Sequence, residues 1–133
     1  NDIFGRVQLM SSRTLFCWQK LKRAAKKDDI ELQLVSAFRS IDYQYNLIMK
    51  KLENGGDLLT ILKANAIPGF SEHHTGNAID LNTAGCTPLS EEFELTSAFE
   101  WLQRNAKTYQ FSMSFPRHNN KGMIYEPWHW FCQ

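Results

Sequence analysis

The sequence predicts an α+β fold: a small antiparallel sheet with helices packed on it. Three observations carry this. Helix-period and strand-period segments are mixed, without the regular alternation of a doubly wound parallel sheet. The last third, YQFSMSFP and then IYEPWHWFCQ, is aromatic-rich and strand-like. No repeat, low-complexity tract or Pro/Gly-rich linker divides the chain, so residues 1–133 read as a single domain.

Taken in order, Leu15, Trp18, Leu21 and Ala25 recur at helical spacing behind Ser11–Ser12, a pair able to cap a first helix. In ELQLVSAF, Leu32 and Leu34 alternate with Glu31 and Gln33 before the run turns apolar, which reads as a strand. Ile41, Tyr45, Ile48 and Leu52 mark a second amphipathic helix, closed by Asn54-Gly55-Gly56. A short helix is expected around Leu58–Leu62, and Pro68-Gly69 then punctuates the chain. NAIDL reads as a short strand with Ala78 and Asp80 on one face and Ile79 and Leu81 on the other. Leu95, Phe99, Leu102 and Ala106 mark a fourth helix, with Glu91 and Glu92 placed for its positive N-terminal end.

Composition narrows the function. A hydrophobic fraction of 43% and a charged fraction of 22% are those of an ordinary globular protein. A net charge of +1 argues against nucleic-acid binding, and the basic run KLKRAAKK (Lys20–Lys27) reads as the solvated face of a helix. No apolar run approaches the roughly 20 residues that cross a bilayer. The opening NDIFGRVQ lacks Met and a basic-then-apolar export signal, so a trimmed or mature form is expected. Cys17, Cys86 and Cys132 form no CxxC pair and allow at most one internal disulfide.

The chemistry concentrates in SEHHTGNAIDL, Ser71–Leu81. Catalytic zinc typically takes three protein ligands from His, Asp, Glu or Cys and leaves a fourth position for water. This stretch offers His73, His74 and Asp80. In an extended segment the two histidines point to opposite sides, so one ion takes only one of them, and a turn at Gly76 could fold the rest back onto it. A third ligand candidate is His129, between two tryptophans in YEPWHWF. Glu126 lies three residues before it, and a bend at Pro127 would bring that carboxylate beside the ion. A carboxylate next to a metal-bound water is what a hydrolase needs. Individually these residues have plainer readings, a core histidine or a turn aspartate. Their conjunction points to a site.

SEHHTGNAID resembles the Ser-x-His-x-x-Gly-x-Ala-x-Asp signature of the D-alanyl-D-alanine carboxypeptidases related to the vancomycin-resistance D,D-carboxypeptidases, zinc peptidases that share a fold with the hedgehog signalling domain. EPWHW resembles their Glu-x-Trp-His signature, and SAFRSIDYQ a third, a strand ending in Arg-Ser with a Gln shortly after. The likeness runs from about Val35 to Phe131 and includes FEWLQRNAKTYQFSMSFP. It implies His73, Asp80 and His129 as ligands of one zinc, Glu126 as general base, and Arg39 as the cation for the substrate's terminal carboxylate or the oxyanion. Gln44 and Ser71 match positions lining the substrate pocket. A guanidinium suits the Arg39 role, because it pairs bidentately with a carboxylate. His74 stands where the family often has another polar residue and is expected to face solvent, with a supporting role near the site as the alternative. His118 reads as a loop residue.

The resemblance thus implies a zinc carboxypeptidase that removes C-terminal D-alanine from peptidoglycan stem peptides by a zinc-activated water, D,D- or L,D-specific, monomeric and placed in the cell envelope or periplasm. One rival is an endopeptidase on the same scaffold, against which Arg39 and the Trp-His pair speak. Another is a non-catalytic zinc-binding interaction domain, against which the retained Glu126 speaks.

Overall fold

The computed structural model describes all residues, 1–133. Its α-helices are α1 (Ser12–Lys27), α2 (Ile41–Glu53), α3 (Leu58–Ala64) and α4 (Ser97–Asn105), and its strands are β1 (Gln33–Ser36), β2 (Ala78–Asn82), β3 (Phe111–Met113) and β4 (His129–Cys132). The strands form one antiparallel sheet in the order β1-β2-β4-β3. Three single-turn 3-10 segments, Glu72–Thr75, Glu91–Leu95 and Ala106–Tyr109, complete the regular structure.

Hydrophobic burial on one face of the sheet fixes the layers. Ile79 and Leu81 of β2, Trp130 of β4 and Leu34 of β1 join Trp18, Leu21 and Ala25 of α1 and Phe99 and Leu102 of α4 in one core cluster. Asp80 and His129 alternate with these residues and therefore stand on the sheet's other face. The ladder pairs them directly, Asp80 opposite His129, flanked by Ala78 opposite Phe131. On the β1 side the register slips between Leu34 and Ser36, so that Ser36 rather than Val35 is the partner of Asp80. This is a β-bulge, and it bends the strand that leads to Arg39.

Several elements differ in phase from the sequence pattern. Ser11 caps α1 by accepting from the Thr14 amide, and the buried stripe is Thr14, Cys17, Trp18, Leu21 and Ala25, whereas Leu15 is exposed. In α2 the buried positions are Gln44 and Ile48, while Ile41 and Tyr45 face solvent. The packing face is rotated because the helix walls a cleft and lies outside the main core cluster, so Gln44, which donates to the Ala66 carbonyl, takes the inward position that periodicity assigns to an apolar residue. The fourth helix begins later than expected. Thr96 caps it, accepting from Phe99, and Leu95 belongs to the preceding 3-10 turn, where it is 84% exposed. Glu91 and Glu92 sit in that turn and not in α4. The expected strand in IYEPWHWFCQ is confined to its last residues, because Glu126–Trp128 turn before β4 begins.

Candidate active site

The segment Glu72–Thr75 is a 3-10 turn, not an extended strand. Ser71 caps it by accepting from the His73 amide at 3.3 Å, and Gly76 closes it in the left-handed region, φ 73°. A side chain is strained at that φ, and a Cβ there would also lie 3.0 Å from the Ser11 amide nitrogen. The turn still separates the two histidines. His73 is buried at 3% exposure, and His74 is half-buried toward the neighbouring loop.

His73, Asp80 and His129 converge, with one ligand atom from each lying within 4.8 Å of the others. His73 Nε2 is 3.3 Å from Asp80 Oδ2, and His129 Nδ1 is 3.2 Å from Asp80 Oδ1. Each ring's outward nitrogen has its own partner. His73 Nδ1 donates to the Ala37 carbonyl at 2.6 Å, and His129 Nε2 lies 3.0 Å from Glu72 Oε2. Anchoring the outer nitrogen in this way leaves the inner one to face an ion. Two imidazoles and a carboxylate, all buried and aimed at one point, fit a zinc site of the catalytic kind.

Glu126 arrives from the turn before β4. Its amide donates to Phe115 O, and its Oε2 is 3.8 Å from His129 Nδ1. Burial is the largest influence on this carboxyl and, reinforced by the charges of Asp80 and Glu72, pushes it up to about 7 against the pull of His129 and Arg39. For His129 burial acts downward, but hydrogen bonds to Asp80 and Glu72 outweigh it and raise the ring to about 9. His73 is held below its ordinary value, chiefly by burial. Burial would raise Asp80, yet His73, His129 and Arg39 together hold it well below the usual carboxylate range.

Arg39 follows the bulged strand. Its Nη2 donates to Asp80 Oδ2 at 2.6 Å and its Nε to Ser36 Oγ at 3.0 Å. Both backbone groups of Arg39 are tied to the histidine turn: its amide donates to His73 O, and its carbonyl accepts from His74 Nδ1 at 2.6 Å. With Nδ1 protonated, His74 Nε2 accepts from the Gly69 amide at 3.1 Å. His74 therefore supports Arg39 and the Pro68–Phe70 loop, and it does not simply face solvent. Gln44 and Ser71 both line the cleft; Gln44 Nε2 donates to Ala66 O, and its buried Oε1 has no protein partner. His118 lies in an exposed turn away from these groups.

The site opens into a cleft of ≈ 1030 Å³, walled by α2, the Ala64–Ser71 segment and the loop between β3 and β4. Arg39 and Glu126 share it with apolar groups such as Leu47, Phe70 and Ile124, a mixture suited to a peptide with a charged end. Sequence reasoning passed over Glu72. Its carboxylate accepts from Ser114 Oγ at 2.5 Å and from Lys121 Nζ at 2.9 Å in addition to facing His129. Burial opposes its ionisation, but these three partners hold it down to about 2.

Known proteins resemble this chain in sequence and in fold. The VanY family model, described as D-alanyl-D-alanine carboxypeptidase, matches residues 8–132. YodJ of Bacillus subtilis (strain 168), a carboxypeptidase by description, is 39% identical over 111 residues, which are 80% of this chain and 40% of that protein. Among solved structures, the LD-carboxypeptidase LdcB superposes with a TM-score of 0.86 at 31% identity, covering 96% of this chain and 61% of that one. The vancomycin-resistance D,D-pentapeptidase VanY, solved as an E175A mutant in complex with Zn(II), shares the fold with a TM-score of 0.79 at 24% identity, covering 96% of this chain and 75% of that one. The chain thus spans less than half the length of YodJ and under two thirds of the LdcB chain.

Proposed function

Because the chain belongs to the VanY family of D-alanyl-D-alanine carboxypeptidases, we propose that it is a zinc carboxypeptidase that removes the C-terminal D-alanine of peptidoglycan stem peptides. The observation that carries this reading is the buried convergence of His73, Asp80 and His129 with Glu126 beside them and Arg39 at the cleft. Its place of action is the cell envelope, where that substrate lies; no helix is long and apolar enough to cross a membrane.

His73 Nε2, His129 Nδ1 and the Asp80 carboxylate are the groups that would hold zinc. Bound there, zinc supplies a Lewis acid for the scissile carbonyl and lowers the pKa of a water. Glu126 takes the proton of the attacking water and returns it to the leaving amine nitrogen. A carboxyl held up near neutrality by burial is poised for both halves of that transfer. Arg39 uses two of its donors on Asp80 and Ser36, which fix the guanidinium plane, and keeps others for a carboxylate in the cleft. That cation favours a free C-terminus and hence removal of a terminal residue over internal cleavage. Gln44, with its unpartnered oxygen, and Ser71 border the same space.

The test is mass spectrometry of muropeptides incubated with the protein and zinc. Loss of one alanine from pentapeptides identifies D,D-activity, and loss from tetrapeptides L,D-activity. Products cut within the stem or cross-bridge would replace this reading with an endopeptidase. A zinc-loaded protein that leaves all stem peptides intact would replace it with a non-catalytic zinc domain.

A further inference from the structure

The two histidines of the centre are anchored differently. His73 leans on a backbone carbonyl, Ala37 O, whose position β1 and the turn after it determine. His129 has no such fixed partner. Its outward nitrogen, Nε2, meets only the Glu72 carboxylate, at 3.0 Å. Glu72 is itself held from two directions outside the centre: Ser114 Oγ, just after β3, donates to Oε2 at 2.5 Å, and Lys121 Nζ, on the loop between β3 and β4, donates to Oε1 at 2.9 Å. The side chain is only 23% exposed, although glutamate usually lies in water.

We propose that Glu72 is a positioning residue that locks the His129 ring with Nδ1 toward the metal, and that Ser114 and Lys121 hold Glu72 in that orientation. The inference rests on the assignment of His73, Asp80 and His129 as zinc ligands and adds a residue that acts through His129. An imidazole can rotate about its Cβ–Cγ bond, and rotation would withdraw Nδ1 from the centre. A carboxylate on Nε2 penalises that rotation and makes the ring a stronger donor. Carboxylates in this relation to a ligating histidine affect metal affinity by about 10- to 100-fold.

The experiment measures zinc affinity by chelator competition on the purified chain, with the absorption spectrum of the cobalt-substituted protein as a report of ligand geometry. Glu72→Leu removes the acceptor at similar size and is expected to weaken zinc binding about 10- to 100-fold and to alter the cobalt spectrum. Glu72→Gln keeps an oxygen able to accept from Nε2 and is expected to recover most of the affinity. Thermal unfolding of the metal-free variants separates this from a general loss of structure. Should Glu72→Leu fail to fold, the double variant Ser114→Ala/Lys121→Met, which strips the partners of Glu72, is expected to bind zinc several-fold more weakly. Wild-type affinity and an unchanged cobalt spectrum in folded Glu72→Leu, or in the double variant when it has to stand in, would overturn the proposal. A wild type that binds one zinc but releases no alanine removes the proposed activity and leaves the role of Glu72 intact. A wild type that takes up neither metal overturns both.

Discussion

Asp80 and His129 are direct partners across the β2–β4 ladder, and the Asp80 carboxylate lies 3.2 Å from His129 Nδ1. Sheet register thus brings together residues separated by 49 positions in the chain, and side-chain alternation turns both away from the core. Asp80→Ala and His129→Ala should each abolish stoichiometric zinc binding, as should His73→Ala, measured by elemental analysis after dialysis. Retention of one zinc by any of the three would remove that residue from the ligand set.

His74→Ala separates the two neighbouring histidines. Zinc content should stay at the wild-type level, because His74 belongs to the Arg39 and Gly69 contacts. Losing one part-buried and one exposed hydrogen bond should cost about 1–2 kcal/mol of stability, and an Arg39 backbone freed at its carbonyl should raise KM. A zinc-free His74→Ala protein would show that the histidine register is wrong.

Glu126→Gln should lower kcat by about 10² to 10⁴ while zinc content and folding stay near wild type, since glutamine matches the size but cannot take the proton. The check is a D-alanine release assay paired with metal analysis on the same samples. Activity within a few-fold of wild type would exclude Glu126 as the base.

Arg39→Lys preserves charge and loses the planar fork that spans Asp80 and Ser36. Cleavage of peptides with a free C-terminus should fall about tenfold or more in kcat/KM, in line with the roughly 1.5–3 kcal/mol of a charged hydrogen bond. The wild type should discriminate strongly against C-terminally amidated peptides. Equal rates on both would remove the carboxylate-binding role.

The metal-free protein should lose stability as pH rises. His129 is raised to about 9 from 6.5, so its contribution is complete below 6.5 and is lost as pH climbs through 9. Glu126 is raised to about 7 from 4.5, and its contribution is likewise present below 4.5 and lost through 7. His73, held low, works in the opposite sense around its ordinary value of 6.5, so the decline is clearest above neutral pH. Zinc needs the ligand nitrogen of His129 free of its proton, so the rise in Tm that zinc confers should grow over the same interval. Thermal melts with chelator and with zinc from pH 5 to 9 provide the measurement; a chelated protein whose Tm rises from pH 7 to 9 would contradict it.

The α+β class and the elements around Trp18, Ile48, Leu58, Ile79 and Phe99 are legible in the sequence because short-range patterns encode them, whereas the selection of His73, Asp80 and His129 as a set rests on the likeness of SEHHTGNAID and EPWHW to a known family. The inward turn of Gln44 is not legible, since periodicity assumes that a helix buries apolar residues, whereas Gln44 is drawn inward by the Ala66 carbonyl on the Ala64–Ser71 wall of the cleft. Glu72 and His129 are 57 positions apart, and no local spacing announces their contact. The expectation that His74 faces solvent falls short for a related reason: its partners are the Gly69 amide and the Arg39 carbonyl, and backbone groups leave no mark on a residue pattern.

The bulge at Val35 lets one short strand meet two demands that a regular ladder would set against each other. Leu34 stays in step with Leu81 and seals the core, while the chain beyond the extra residue is steered back over the cleft, so that Arg39 meets Asp80 from the side. Aim is thereby separated from anchorage: the hydrophobic half of β1 fixes where the strand sits, and a local irregularity sets the direction in which its charged end points. Changes to the core half, such as Leu34→Val, should therefore be felt as stability, whereas changes in the length of the Val35–Arg39 arm should be felt as a choice between substrates.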